Sequence, residues 1–511
     1  MKQLLLMFLA TLPFSSNAIS APLPDTLYVA LGSEPIKGFD STKGWGKYGH
    51  PLIQSTLLKR TKKLGLKGDL AVKWVLSDDK LSWRVTLRDD VMFSDGSPLT
   101  ANDVAFTFLQ AKQTLSTHDL SNLKAVTVIS PTMVSFRLNQ PDITFMDHFV
   151  SLGIVPKHLY SDQYAQHPIG SGPYAFIKWK KGESLALKRN PFYYGQKPEF
   201  ESLVIVFGEE HSNFALFKTG QLQLTTLPQK YVHALPQHTK IWAVQSVDNR
   251  GIVWPLIEQQ GNNIGNNVTA DFAIRKAVSM AIDRKLIINQ LLEGYAHPAT
   301  SVSDGLPWGP THNTLPNYDI AAAKQLLVNA GWVDSDGDGV RERDGLRAQI
   351  NLYYKSGDSV REELSLTISQ MVKAIGIDIQ PIGTDWASIA KRMHSNPVLM
   401  GFGSHSASEV AFLYHSNFAG IDFYNSGFYK EKEVDTLINK AKSAASWESS
   451  LTFWKNAQQR ASLDEPWTWL VNLDHLYAAN NCLDLGDPIT EPHAHGWPIV
   501  SNIDEWRWIC R

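Results

Sequence analysis

From about residue 265 onward, helical and strand patterns alternate along the chain. Asp271 stands where it can cap a helix, and a further helical pattern covers residues 360–375, with its apolar side chains on one face. Strand patterns at 348–354 and 377–379 lie on either side of that helix. Alternation of this kind predicts an α/β fold for the second half of the chain.

The earlier part of the chain is predicted mainly as strands and turns, with one clear helix. Residues 80–87 alternate apolar and polar side chains, which is typical of a half-buried strand. A Gly-Ser-Pro turn precedes Thr100, and Thr100 and Asp103 have the spacing of capping-box partners. A helix is therefore predicted to begin immediately after Thr100.

The chain has 511 residues, which is too many for one ordinary domain, so we expect two or more lobes. It contains no repeat, low-complexity tract or long flexible linker. The lobes must then be joined by short crossing strands, which we expect near residues 250–265 and 468–478.

Charge and aromatic content limit the class of partner. The 48 Lys and Arg residues nearly balance the 50 Asp and Glu residues, which argues against nucleic acid or an anionic membrane surface as the main partner. The 16 Trp and 16 Tyr residues are numerous. Many will lie in cores, but indole rings also line ligand pockets, so a small-molecule ligand is expected.

Residues 1–18 have the pattern of a secretory signal peptide. Lys2 supplies the positive start, an apolar stretch follows, and Ser16-Asn17-Ala18 supplies a small-x-small cleavage site. The apolar stretch is too short to span a bilayer, and no Cys at the cleavage site offers a lipid anchor. The mature protein is therefore predicted to be exported to the periplasm in soluble form.

The two cysteines, Cys482 and Cys510, are expected to form a disulfide, because an even count in an exported chain favours pairing. Closing a loop of roughly thirty residues stabilises a fold by about 3 kcal/mol. Two thiols that bind a metal are the weaker alternative in an oxidising compartment. The bridge would also restrain the histidine-bearing loop between the two cysteines.

That loop carries His493 and His495, flanked by Pro492, Gly496 and Pro498. Imidazole is a borderline-soft nitrogen ligand that suits nickel, copper and zinc. A loop leaves both rings able to turn toward a bound metal. The alternative interpretation, two solvated histidines on a surface loop, stays open on the pair alone.

Signatures of catalysis are scarce. The sequence has no Gly-x-Ser-x-Gly elbow, no phosphate-binding loop, no His-Glu-x-x-His motif and no free nucleophilic Cys. The acidic segment 334–339 begins like a calcium loop, but Gly345 occupies the position of the bidentate carboxylate. We interpret that segment as a solvated acidic turn and the chain as a protein without enzymatic activity.

Several segments in a consistent order resemble the family 5 extracellular solute-binding proteins. They are Leu87-Arg88-Asp89-Asp90-Val91, Phe93-Ser94-Asp95-Gly96-Ser97-Pro98-Leu99-Thr100-Ala101-Asn102-Asp103-Val104, Ile169-Gly170-Ser171-Gly172-Pro173-Tyr174, Arg275-Lys276-Ala277 with Ala281-Ile282-Asp283-Arg284, and Asn329-Ala330-Gly331-Trp332. The segments span nearly the whole mature chain. Proteins of this family deliver peptides, nickel chelates and related solutes to ATP-binding-cassette importers.

The resemblance implies a two-lobed periplasmic binding protein with an enlarged first lobe and a ligand cleft between the lobes. The first lobe would consist of residues 19–258 and a return segment, 473–511, with the second lobe, 259–472, inserted between them. It also implies a monomer that works with an inner-membrane permease of the importer.

A narrower resemblance points to the nickel-binding branch of that family. It rests on Gly44-Trp45-Gly46-Lys47-Tyr48-Gly49-His50-Pro51-Leu52, Ser303-Asp304-Gly305-Leu306-Pro307-Trp308, Met393-His394-Ser395-Asn396 and the terminal His-Ala-His-Gly-Trp-Pro. That branch is similar to receptors for nickel bound to free histidine, in which a protein histidine from a variable loop completes the coordination. The resemblance implies His493 or His495 as that ligand and His50 as a second one. It implies nickel as cargo and no permanently bound cofactor.

Other candidates would contact the organic chelator. Arg361 would bind its carboxylates, unless it pairs with a neighbouring Glu, and the indoles of Trp45, Trp308 and Trp497 would stack on its rings, unless they are core residues. The segment 403–409 stands where peptide-binding members carry aspartates that hold the peptide amino terminus. It lacks aspartates but has His405, a further candidate ligand, and Glu409, a candidate substitute.

The sequence also differs from the better-known nickel receptors in a way that concerns the chelator. The better-known nickel receptors have an Arg pair in the first lobe, whereas residues 145–159 here contain His148, Lys157 and His158 but no Arg. The preferred hypothesis is a receptor for a nickel complex of a small chelator, with free histidine as the chelator implied by the resemblance. The alternatives are a receptor for di- or oligopeptides and, from the histidines only, an exported metallohydrolase.

Overall fold

The computed structural model describes residues 23–48, 52–114, 118–311, 315, 317–493 and 496–510. The predicted signal peptide lies outside these residues. Within them, the helices are all too short or too polar to cross a membrane.

A seven-stranded mixed sheet organises the part that contains both ends of the described chain. At its centre, Thr26–Ala30 pairs in parallel with Ser202–Val206 and with Leu224–Thr226. The strands in spatial order are Thr239–Val244, His475–Asn480, Leu224–Thr226, Thr26–Ala30, Ser202–Val206, Ser184–Arg189 and Tyr174–Lys180. The helix Glu210–Lys218 packs against Leu224–Thr226.

A four-stranded antiparallel sheet adjoins it. Its strands in spatial order are Ala71–Leu76, Ser82–Leu87, Met133–Leu138 and Leu123–Ser130. The helix Ala101–Gln113 covers its buried face, and the predicted capping box of Thr100 and Asp103 at the helix start is confirmed. A short helix, Asp147–Ser151, belongs to the same core. We refer to these two sheets and the segments packed on them as lobe I.

A six-stranded sheet organises the remaining part, lobe II. Its strands in spatial order are Ala296–Pro298, Trp467–Leu473, Asn249–Val253, Val398–Met400, Gln349–Lys355 and Asp378–Thr384. Around the sheet lie the helices Phe272–Ala281, Arg284–Leu286, Ile320–Asn329, Ser359–Lys373, Trp386–Ala390, Ser408–Tyr414, Lys432–Lys442 and Trp447–Ser462. The side chain of Asp271 caps the first of these helices, as predicted, by accepting from Ala273 N–H.

Two chain segments cross between the lobes. Thr239–Val244 and His475–Asn480 pair in the seven-stranded sheet, while their continuations Asn249–Val253 and Trp467–Leu473 pair in the six-stranded sheet. The crossings thus lie at residues 245–248 and at Asp474. The first crossing comes just before the expected range, and the second lies within it. The lobe boundaries at 258/259 and 472/473 remain a prediction.

The C-terminal segment returns to lobe I. After Trp497, a 3₁₀ helix, Pro498–Glu505, buries Ile499, Val500 and Ile503 in the core of the seven-stranded sheet. Cys482 and Cys510 are joined by the predicted disulfide. The described residues also form three two-stranded ribbons: Leu58–Arg60 with Leu66–Gly68, Glu342–Arg343 with Leu346–Arg347, and Leu483–Asp484 with Arg507–Trp508.

Candidate ligand-binding cleft

A cavity of about 330 Å³ lies between the two lobes. Lobe I contributes the turn at Gly46–Tyr48, the segment 118–122 and the helix beginning at Asp147. Lobe II contributes residues 404–412 together with Phe418 and Tyr424. Because both lobes form its walls, a guest in this cavity would hold the lobes together.

Direct contacts already join the lobes beside the cavity. Asp147 of lobe I pairs with Arg60 at 2.6 Å and accepts a hydrogen bond from Ser406 Oγ of lobe II at 2.7 Å. Ser408 Oγ donates to Thr144 Oγ1 at 2.8 Å. The Arg60 guanidinium also donates to the backbone carbonyl of His405. The structure therefore represents a closed arrangement of the lobes.

The cavity wall includes several histidines that are neutral at pH 7. Burial lowers the pKa of His148 to about 4 and places that of His118 well below its usual range. Burial beside Arg60 lowers the pKa of His405 to about 3. The ring centroids of His118 and His148 are 5.9 Å apart. Neutral imidazole is the form that binds a metal ion.

Lys47 of lobe I and Glu409 of lobe II also line the cavity. Glu409 Oε2 accepts backbone hydrogen bonds from Gly403 at 3.1 Å and from Ser404 at 2.8 Å. Burial outweighs these bonds and raises the pKa of Glu409 to about 7. Burial lowers the pKa of the Lys47 ammonium, although Glu409 and Asp119 oppose the shift.

The loop that presents Glu409 depends on a glycine. Gly403 has a φ of +135°, and a Cβ at this position would lie 2.2 Å from the carbonyl oxygen of Val247. Only glycine combines this backbone conformation with so close an approach. Gly403 therefore lets the lobe II loop lie directly against the first crossing segment.

His493 is not among the residues that line the cavity, although Pro492 and Tyr48, which contacts the His493 ring, line it. Its Nδ1 hydrogen-bonds Asp248, and its backbone N–H donates to Gly403 O at 2.8 Å. Burial, together with the charges of Arg250 and Arg361, lowers the pKa of His493, although Asp248 opposes the shift. The sequence predicted this histidine as a ligand but not the carboxylate that orients it.

Asp248 is the centre of a buried charged cluster at the two crossings. Its carboxylate pairs with Arg250 at 2.5 Å and with His475 Nε2 at 3.2 Å. His475 Nδ1 meets Glu491 at 2.6 Å, and Tyr477 donates to the same Glu491 oxygen at 2.8 Å. Burial opposes a charge on His475, but the hydrogen bonds to Asp248 and Glu491 raise its pKa to about 9.

Arg361 lies close enough to Asp248 and Arg250 to interact with them electrostatically, and it is not part of the described cavity wall. Its guanidinium pairs with Asp358, the residue that caps its own helix, and it is 7% exposed. That Arg361 binds a chelator carboxylate remains a prediction. Its partner in the structure is the cap carboxylate, one helical turn back on the same helix face, rather than a neighbouring Glu.

The three predicted indoles are core residues. Trp45 and Trp497 pack edge to face, with centroids 4.8 Å apart, in the core of lobe I. Trp308 is 1% exposed and packs on Trp447. None of the three lines the described cavity, and the predicted stacking on a ligand remains untested. His50 and His495, the other predicted metal ligands, lie outside the described residues.

The acidic turn has the environment expected of solvated carboxylates. Asp334, Asp336 and Asp338 are exposed, and their ligand oxygens lie within 4.8 Å of one another. Backbone N–H groups of the turn and the Arg347 guanidinium neutralise part of their charge. The turn is remote in the chain from the segments that line the cavity.

The sequence pattern of the bacterial extracellular solute-binding proteins, family 5, matches residues 65–421, more than half of the chain. This chain belongs to that family. Family 5 proteins are receptors of ATP-binding-cassette importers rather than enzymes, and they have the two-lobed periplasmic binding protein fold. The expected fold class and family are thus confirmed.

Individual relatives differ in cargo. The chain is 31% identical to Protein XP55 of Streptomyces lividans over 471 residues, 89% of this chain and 84% of the relative. It is 26% identical over 491 residues to the oligopeptide-binding protein AppA of Bacillus subtilis, 90% of this chain and 87% of the relative. Among solved structures, NikZ from Campylobacter jejuni in complex with Ni(L-His) superposes with a TM-score of 0.81. That comparison has 26% identity and covers 95% of this chain and 100% of the other.

Three residues of this family 5 protein were missed by sequence reasoning. Lys47 lies within the segment that resembles the nickel-binding branch, so that segment could have pointed to it. His118 and Asp248 stand in segments without any recognisable motif. Only the packing of distant segments reveals their surroundings.

Proposed function

We propose that this protein is the periplasmic receptor of an importer for nickel held by a small amino-acid chelator. The lobes close on the complex, and the closed receptor delivers it to an inner-membrane permease. The similarity to NikZ in complex with Ni(L-His) supports this cargo. Nickel enters the cleft as cargo, already bound to its chelator.

The observation that carries the proposal is the set of neutral imidazoles in the cavity wall. His118 and His148 from lobe I face a space that His405 borders from lobe II. Nickel(II) favours imidazole nitrogen over carboxylate oxygen. Since the pKa values of these histidines lie far below 7, the rings are already deprotonated at neutral pH and can coordinate a metal ion directly.

His493 supports the same cargo through its orientation. In metal sites, a ligating histidine commonly donates one ring N–H to a carboxylate, which aims the other nitrogen at the metal. The Asp248–His493 pair has this arrangement, with Nδ1 on the carboxylate. We therefore retain His493 as a candidate ligand, together with His495 and His50, and assign Asp248 the role of orienting it.

A transport receptor must also release its cargo. A chelated nickel ion needs only one or two protein ligands, so the protein holds it less firmly than a full set of protein ligands would. A cavity of about 330 Å³ has the size range of small-molecule sites. Opening of the lobes would then be enough to expose the complex.

A peptide is the second candidate cargo, and Glu409 is the observation that favours it. Its carboxyl group lies in the cavity, where it can accept from a peptide amino terminus. The cavity also extends along lobe I toward Lys59, Lys67 and residues 500–505, which would suit an elongated guest. The similarity to an oligopeptide-binding protein agrees with this candidate.

Calorimetry on the purified mature protein tests the choice of cargo. Nickel(II) alone, nickel(II) with L-histidine, and a mixture of di- and tripeptides are titrated separately. We expect nickel–histidine to bind with a Kd of about 1 µM or tighter, which is about −8 kcal/mol. Micromolar binding of peptides without heat from nickel–histidine would overturn the nickel proposal.

The ligand assignment is tested by replacing His493 and His495 with Ala together. We expect at least a tenfold weaker capture of nickel–histidine, with circular dichroism unchanged. His233→Ala is the control, because its side chain is 78% exposed and outside the cavity. Equal affinity in the double variant and in wild type would contradict the assignment.

A further inference from the structure

The two walls of the cavity carry an ammonium and a carboxyl group that do not form a direct ion pair. Lys47 lies in the turn that follows Trp45 in lobe I, and Glu409 lies in the first turn of the helix Ser408–Tyr414 in lobe II. Each is an electrostatic neighbour of the other. Among the described residues, however, no carboxylate comes within 4.0 Å of the Lys47 ammonium.

Both groups have capacity left for a guest. The Lys47 ammonium makes a cation–π contact to Tyr48, at 5.1 Å from the ring centroid. Glu409 uses Oε2 for two backbone N–H groups, and no described residue donates to its Oε1. Buried polar atoms without a hydrogen-bond partner are costly, and a zwitterionic guest can supply a carboxylate to the Lys47 ammonium and an N–H donor to Glu409 Oε1.

We infer that Lys47 and Glu409 form a subsite for the α-amino-acid group of the cargo. The ammonium of Lys47 binds the α-carboxylate, and Glu409 accepts N–H from the α-amino group, whether that group is a free ammonium or an amine bound to a metal. Because one charge belongs to each lobe, the guest bridges the cleft. This inference rests on the proposed function, since it names the residues that bind the amino-acid part of the proposed cargo.

Lys47 is the more specific half of this subsite. A peptide would place its carboxylate several bonds away from its amino group, whereas a single amino acid carries both groups on one carbon. Because Lys47 and Glu409 line one cavity from opposite lobes, they favour a free amino acid over a peptide as the guest. The amino acid can bind alone or as a metal chelator. Charge-assisted hydrogen bonds of this kind are the stronger ones in proteins.

The test compares nickel complexes of L-histidine and of histamine, which keeps the amine and the imidazole but lacks the carboxylate. In wild type we expect the histidine complex to bind at least about tenfold tighter. Lys47→Gln should remove this preference, by weakening the histidine complex and leaving the histamine complex nearly unchanged. Lys43→Gln is the control, because Lys43 lies in the same segment but pairs with Asp40 and is outside the cavity wall.

The outcomes separate this inference from the proposed function. If wild type binds neither nickel complex, the nickel proposal fails, and the same comparison is made with metal-free histidine and histamine. A preference for histidine that Lys47→Gln abolishes, with or without nickel, supports the subsite. The subsite is overturned if wild type binds histidine and histamine equally, or if Lys47→Gln weakens both equally. It is also overturned if metal-free histidine does not bind in the second comparison. Thermal melting establishes that each variant is folded.

Discussion

At the scale of the residue, the most informative group is the carboxyl of Glu409. It is 6% exposed, it accepts two backbone N–H groups, and it lies in the cavity. In this position burial has a larger effect on its pKa than the hydrogen bonds do, so the value rises to about 7. The group therefore changes its charge near neutral pH, where an exposed glutamate would already be ionised.

This shift makes the stability of the cargo-free protein depend on pH. The folded-state pKa exceeds the unfolded value of about 4.3, so the stabilising contribution of protonated Glu409 is complete below that value. It is lost as the pH rises through about 7. Glu409→Gln, which stays neutral, should gain stability relative to wild type by up to about 3 kcal/mol between pH 5 and pH 8.

The measurement is the free energy of unfolding by urea at several pH values, without cargo. Glu183→Gln serves as the control, since the Glu183 side chain is 69% exposed and lies outside the described cavity wall. A difference between Glu409→Gln and wild type that does not change with pH would show that Glu409 is already ionised at pH 5.

At the scale of the element, the two crossing segments are held by charge. Asp248 lies in the first crossing, His475 follows the second, and Glu491 comes from the C-terminal segment. Glu491 also joins the first crossing through its backbone, since it accepts from Val247 N–H and donates to Gln245 O. Three segments that are distant in sequence thus meet at the place where the lobes are connected.

The charge of His475 should be visible in the alkaline range. Its folded-state pKa of about 9 exceeds the usual value of about 6.5, so its contribution is complete below pH 6.5 and is lost as the pH rises through 9. We expect wild type to lose about 3 kcal/mol of unfolding free energy from pH 7 to pH 10 through this group. His475→Gln should be less stable at pH 7 and should lack this loss.

Chemical denaturation across that pH range measures the effect. His297→Gln is a suitable control, because His297 is also near Asp474 but its side chain is 54% exposed. If wild type and His475→Gln lose stability in parallel above pH 8, the buried imidazole is not the group that titrates.

At the scale of the whole molecule, direct contacts between the lobes stabilise closure. Asp147 is the central residue, since it receives Arg60 from its own lobe and Ser406 from the other. The Lys442–Asp142 pair, at 2.9 Å, lies at a more exposed position, with 36% of the lysine side chain accessible. Removal of one partner from a buried charged pair costs more than removal from an exposed pair, because the remaining buried charge is left without water or a partner.

Asp147→Asn should therefore favour the open form. We expect a larger radius of gyration by small-angle X-ray scattering without cargo and about tenfold weaker capture, because closure then consumes more of the binding energy. Lys442→Met should change both quantities far less. An unchanged radius of gyration and an unchanged affinity in Asp147→Asn would show that these contacts do not set the balance between open and closed lobes.

Local patterns were enough to identify several elements and the family. The capping box at Thr100, the helix capped by Asp271 and the pairing of Cys482 with Cys510 each depend on residues that are close in sequence or that lack alternative partners. The family motifs predicted the two-lobed fold. Within the site, His405 and Glu409 line the cavity, and their roles in ligand binding remain predictions.

The tertiary structure alone decided which side chains line the cleft. Trp45, Trp308 and Arg361 have the chemistry of ligand contacts, but their burial depends on segments far away in the chain. Lys47 becomes significant only because Glu409, more than 300 residues later, lies on the opposite wall. Sequence patterns report neighbours along the chain, whereas the charge, hydration and access of a side chain are set by its neighbours in space.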